Sequence, residues 1–221
     1  MQSKTKNSLT ALAVAITLAL GSSATLAASP MHATPPAHAT SPHSANASDE
    51  MKQLQHADEL AQKGREATSY IVAADKLLSD QHADEARQYL EKAEALLQTL
   101  ESEIHTGKDN PDGLLSIYSQ LGIKQEIEVT EPVKEQLQSI YPDAIRGKHE
   151  RVVEQLKTVG IELQYSFVDM PVAATLGKVE SALKSLAAKD SKQAAQALTD
   201  AQQGLIQDSI LINAADETPA G

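Results

Sequence analysis

Alanine and leucine return every three or four residues in LLSDQHADEARQYLEKAEALL, residues 77–97. They do so again in SLAAKDSKQAAQALTDAQQGLI, residues 185–206. A shift of 108 positions carries Leu78 onto Leu186, Ala86 onto Ala194, Gln88 onto Gln196, Leu90 onto Leu198, Ala93 onto Ala201 and Leu97 onto Leu205. An apolar stripe at this spacing is one face of an α-helix. Its small residues let a second helix come close. Each stretch therefore predicts helix, short polar turn, helix. A weaker third version surrounds Gly147 and Leu156. The 34-residue period of tetratricopeptide arrays is absent, so a shared packing solution accounts for the likeness as well as duplication does.

The helical reading extends along most of the chain. Ser48 is placed to cap a first long helix, with Asp49 and Glu50 at its positive end. Leu54, Ala57, Ala61, Gly64, Thr68, Ile71 and Leu78 share its inner side. Ser79 to His82 form a turn, and Ala86, Tyr89, Leu90, Ala93, Leu97, Leu100 and Ile104 face inward on the next helix. The loop 105–113 closes it. Asp109, Asn110 and Asp112 there lack the ligand spacing and closing Glu of a calcium loop. The period then falls to two. GIKQEIEVT, with Ile123, Gln125, Ile127 and Val129 on one face, predicts a first strand; Leu114–Leu121 belongs to it or to a short helix. IELQYSFV, with Ile161, Leu163, Tyr165 and Phe167 on one face, predicts a second. Between them Thr130 and Pro132 start a helix that Pro142 kinks or breaks, Gly147 marks a turn, and Gly160 ends the following helix. Asp169 and Pro171 restart a helix, and Asp190 or Ser191 caps the last one. The expected fold is mainly α: three helical hairpins in one domain with a small two-stranded β element.

The N-terminus reads as a targeting segment. Lys4 and Lys6 precede the apolar run Leu9–Leu20, and GSSATLAAS supplies cleavage after Ala27 or Ala28. The run is shorter than the ~20 residues that span a bilayer. Residues 1–28 are thus expected to be a cleaved signal peptide and the product to be periplasmic, with no stable membrane anchor. Residues 29–48 are a Pro/Ser/Thr/Ala linker, 49–213 the helical domain, and 214–221 a loose tail. The absence of Cys excludes disulfides, thiolate nucleophiles and Cys-based metal sites. A net charge of −11, or −13 once Lys4 and Lys6 are removed, argues against nucleic acid as a partner. With 3% aromatics and no Trp, stacking platforms for sugars or bases are disfavoured.

Chemistry is sparse. The sequence holds no Gly-rich phosphate loop, His-Glu-x-x-His or Gly-x-Ser-x-Gly. His32, His38 and His43 sit in the linker at spacings that match no rigid metal site. His56 lies on the first helix, His82 and His149 lie near turns, and His105 closes a helix. His149, Tyr165 and Asp169 are possible members of an assembled site, but no motif ties them together. No catalytic, cofactor-binding or metal-binding residue is therefore assigned, and no cofactor is expected.

Met170–Pro171, Thr175, the Ala/Leu helix pair and the run Gly204 to Ser209 resemble the YfdX family of enterobacterial envelope proteins. The likeness extends over roughly residues 50–213. The region Val129 to Val133 departs from it by inserting Glu131 before Pro132. The resemblance implies an exported, mostly helical, self-associating protein linked to acid and heat tolerance, with a chaperone-like role toward unfolded clients. It carries no catalytic motif. The expected function is non-enzymatic stress tolerance with pH-dependent self-association. The alternative is a small-molecule-binding helical protein of the envelope.

Overall fold

The computed structural model describes residues 43–104, 110–123 and 130–212. Six helices and three strands follow in the order α1 (His43–Ser79), α2 (Ala83–Glu103), β1 (Leu114–Ile123), α3 (Glu131–Ile145), α4 (His149–Lys157), β2 (Leu163–Pro171), α5 (Val172–Ala187), α6 (Ser191–Gln203) and β3 (Ile206–Ile212). The fold is mainly helical with a small antiparallel sheet.

Helices α1, α2, α5 and α6 pack around one core. Its centre is the repeated stripe: Ala86, Leu90 and Ala93 on α2 and their counterparts Ala194, Leu198 and Ala201 on α6 are all buried. The turns between paired helices also repeat. After α1, the N–H of Gln81 donates to the Leu78 carbonyl and that of His82 to Leu77. After α5, Lys189 donates to Leu186 and Asp190 to Ser185. After α3, Gly147 donates to Ala144 and Lys148 to Asp143. Each is a Schellman cap with a left-handed residue at its corner. The corner φ values are 67° at Gln81, 69° at Gly147 and 61° at Lys189. In the turn after α5, Asp190 also caps α6, accepting from the Gln193 N–H at 2.9 Å, as its sequence position predicts.

The sheet has order β1-β2-β3, one strand more than expected. The first strand runs from Leu114 to Ile123, so Leu114–Leu121 belongs to it rather than to a short helix, and it takes in Gly122 and Ile123 of GIKQEIEVT; residues 124–129 of that stretch are outside the described residues. The second strand is found where the alternation placed it, with Leu163, Tyr165 and Phe167 buried. It runs on through Asp169 and Pro171, which do not restart a helix; α5 begins at Val172. β3 was unforeseen. Helix α1 begins at His43, so Ser48 lies inside it, and α3 continues through Pro142 to Ile145. Pro142 has no N–H to donate to the Gln138 carbonyl one turn earlier, yet the helix runs three residues beyond it.

The sheet separates two cores. Leu115 and Met170, paired across β1 and β2, enter the four-helix core. Leu163, Tyr165 and Phe167 face the other way and meet Ile140 of α3, and Val152 and Leu156 of α4. A bulge between Ser116 and Tyr118 lets β1 change faces. There α1 comes close: the Arg65 Nη1 donates to the Ile117 carbonyl at 2.9 Å. Gly64 is required at that crossing, because a Cβ would lie 2.6 Å from Ile117 Cγ2.

Candidate functional site

The second core holds the one place where the singled-out polar residues meet. β2 alternates, so Tyr165, Phe167 and Asp169 project from one face. The turn at Gly147 sets His149 at the first position of α4, directly over them. His149 Nδ1 lies 2.8 Å from the Tyr165 hydroxyl. Its Nε2 lies 3.0 Å from Asp169 Oδ1 and 2.9 Å from Oδ2. The imidazole stacks on Phe167 at 3.6 Å between centroids and 10° between planes. A Cβ on Gly147 would sit in ordinary contact, 3.4 Å from Ser116 Cβ and 3.8 Å from His149 Nε2, so it is the left-handed corner that calls for glycine.

An ionised carboxylate only accepts, so Nε2–H donates to Asp169. In the tautomer that carries its one proton on Nε2, Nδ1 accepts from the Tyr165 hydroxyl. On β1 the Ser119 hydroxyl donates to the Ala144 carbonyl of α3 at 3.4 Å. Hydrogen bonds thus join α4 to β2 and β1 to α3. Burial pushes the Tyr165 phenol above its ordinary pKa; the Ser119 hydroxyl opposes this and the Asp169 charge adds to it.

An Asp–His pair is the orienting half of a hydrolytic triad. Here the position of the third group is taken by a phenol that is only 2% exposed, on a residue the core holds fast. Both imidazole nitrogens are occupied, and Phe167 covers one ring face. The side chains of His149 and Asp169 are 13% and 7% exposed. The arrangement works as a polar strut that fixes α4 to the sheet.

The sequence had raised His149, Tyr165 and Asp169 without connecting them, and the fold brings all three together. It missed Phe167 and Gly147 as members. The period-two pattern could have found part of the cluster, since carrying it two residues past Phe167 places Asp169 on the same face. The other histidines lie elsewhere. His56 Nε2 is 3.9 Å from Glu103 Oε2, and His82 Nδ1 is 3.0 Å from Glu85 Oε1. His32, His38 and His105 are outside the described residues, as is Asp109. Asn110 closes its turn on Leu114, accepting from the backbone N–H at 2.7 Å and donating to the carbonyl at 2.9 Å. Among the described residues no three His, Asp or Glu side chains gather as a metal site. An open depression of about 530 Å³ lies between α1, α6 and β3, lined by Asp75, Thr199, Gln202, Gln203, Leu205 and Gln207.

A family model described as YfdX protein matches residues 67–210. The chain belongs to the YfdX family. Among solved structures, that of Salmonella Typhi YfdX is similar to it at 19% identity. That match covers 69% of this chain and 91% of the other, with a TM-score of 0.46. No curated protein matches the chain. The YfdX span contains every member of the His149 cluster and leaves out the first part of α1.

Proposed function

We propose that the protein is a non-enzymatic, exported stress-tolerance protein of the bacterial periplasm, chaperone-like toward unfolding clients and self-associating in a pH-dependent way. Three helical hairpins form its scaffold. The observation that carries this reading is the closed state of the His149 cluster. The grouping best equipped for acid–base chemistry has its nitrogens saturated and its phenol buried, so it serves packing. Apolar groups, by contrast, are available at the surface of the sheet, where Tyr118, Ile206 and Leu211 are each about half exposed. The link to acid and heat tolerance rests on the family resemblance.

The test is aggregation suppression with several chemically unrelated unfolding clients at neutral and acidic pH. Substoichiometric to equimolar protein is expected to lower light scattering from most of them. Unchanged scattering for every client at both pH values would end the chaperone-like reading. The Gln-lined depression between α1, α6 and β3 favours the small-molecule alternative, with amide groups from Gln202, Gln203 and Gln207 at its wall. A ligand-dependent rise in Tm, abolished by Gln203→Ala, would shift the assignment to that reading.

A further inference from the structure

The two edges of the sheet are treated differently. β1 is guarded: it carries a bulge at Ile117, whose carbonyl is held by Arg65, and α1 packs against it through Gly64. β3 has none of these devices. Its pairing with β2 is unbroken from Leu163↔Ile212 to Asp169↔Ile206. Among the described residues no backbone group pairs with its outer edge. The strand IQDSILI contains no Pro, Lys or Arg, and the exposed Asp208 is its single charge against edge pairing.

The sheet face continuous with that edge is also unusual for an acidic chain. Pairing places Tyr118, Gln120, Gln164, Ser166, Ser209 and Leu211 on one side, at the end away from the four-helix core. None is charged, although the chain carries a net charge of −11. Gln164 donates to Ser209 Oγ at 2.7 Å, and Ser166 and Ser209 share a hydrogen bond of 2.8 Å. Their polar groups thus satisfy one another across the strands. Charge depletion with exposed Tyr and Leu marks the core of an interface.

We infer that β3 pairs antiparallel with β3 of a second copy of this chain, joining the two sheets into one of six strands with Ser209 opposite Ser209. A second copy is the occupant that the charge pattern favours. It carries the same net negative charge, so it can approach most easily where the surface is neutral. The seven-residue strand has its midpoint at Ser209, so centring there pairs every residue. It also sets Asp208 against Ile210 of the other copy, whereas centring on Asp208 would oppose two carboxylates directly. The proposal rests on the self-association named above and supplies its surface.

The native chain has no Cys, so Ser209→Cys introduces a single thiol. Side chains directly opposite in antiparallel strands have Cβ atoms about 4.5–5.5 Å apart, within reach of a disulfide after a small adjustment. Under mild oxidation the Ser209→Cys protein is expected to form a covalent dimer roughly tenfold or more faster than an exposed control on α5, Ser181→Cys, because pairing replaces encounter at micromolar concentration by an effective concentration nearer millimolar. Leu211→Lys, folded by circular dichroism, is expected to lower the mass of the associated form in analytical ultracentrifugation. Equal cross-linking rates for the two cysteines, or unchanged mass for Leu211→Lys, overturn the proposal. So does a wild-type chain that stays monomeric while an unfolded client protects the Ser209→Cys thiol, since the edge then takes client strands. Aggregation suppression by Leu211→Lys separates the two claims: full protection with lost association leaves the chaperone-like reading intact and confines β3 to assembly.

Discussion

His149 is the residue on which the second core depends. Its two nitrogens connect Asp169 and Tyr165, and its ring completes the apolar layer on Phe167. His149→Ala leaves a buried carboxylate without its donor and opens a cavity beside Phe167. The expected loss is about 2–4 kcal/mol in urea denaturation. A loss below ~0.5 kcal/mol, the range of ordinary surface changes, would show that water replaces the imidazole and that the strut is dispensable. Tyr165 makes a separate, pH-dependent contribution. Burial raises its phenol pKa, so the folded state favours the protonated form. That stabilisation is full below the ordinary value of ~10 and is lost as pH rises through the raised folded value. Tyr165→Phe is therefore expected to be less stable than wild type at pH ~8, by about 1 kcal/mol for one hydrogen bond. The gap should narrow above pH ~10, where only the wild type loses the phenol's stabilisation. Denaturation midpoints of both proteins from pH ~8 to ~11.5 measure it, and a constant gap would assign the whole effect to packing.

At the scale of elements, close approach and turn geometry set the architecture. Gly64→Ala adds helix propensity of about 1 kcal/mol, but its Cβ would fall 2.6 Å from Ile117 Cγ2 and 2.9 Å from Leu115 Cδ2. Ile117 is β-branched and held at the bulge, so it yields little. A net loss of about 1–2 kcal/mol is expected from the overpacking, and an unchanged Tm would mean that α1 slides freely over β1. The repeated turns offer the opposite change. Gln81 and Lys189 occupy left-handed corners that glycine fills at the equivalent turn, Gly147. Gln81→Gly and Lys189→Gly should each stabilise the protein by about 0.5–1 kcal/mol, the left-handed penalty less the added chain entropy of glycine. Destabilisation in both would show that the two side chains make contacts worth more than the strain. The helices were legible because their period repeats for several turns and their inner residues are small and apolar. β1 was legible only as strand or short helix at Leu114–Leu121, because the bulge at Ile117 reverses which positions face inward, and LLSIYSQLGI loses its alternation. β3 was not, because as an edge strand only Ile212 is fully buried and neither face imposes a pattern.

For the whole molecule, net charge and the neutral sheet face act together. The proposed mature chain carries −13 with its histidines counted as neutral, and acidification toward the chain's isoelectric point, near pH 5.0, brings the net charge toward zero. Repulsion between copies falls accordingly. The mass-average from light scattering is expected to rise between pH ~7 and ~5 while far-UV circular dichroism stays constant. Constant mass down to the unfolding pH would remove charge as the regulator of assembly.

The sequence by itself determined the helical class, the inward faces of α2 and α6, the corners between paired helices, and the inner face of β2 from Leu163 to Phe167. All of these depend on contacts within a few residues, where periodicity and capping act directly. Tertiary structure alone decided that β3 exists, that β1 shifts by a bulge to serve two cores, and that His149 meets residues 16 and 20 positions away. Those outcomes depend on which surfaces the packed helices leave open to a strand or an imidazole. A local window of sequence does not contain that information, because the pairing energy of β1, β2 and α4 arises only once all three are assembled.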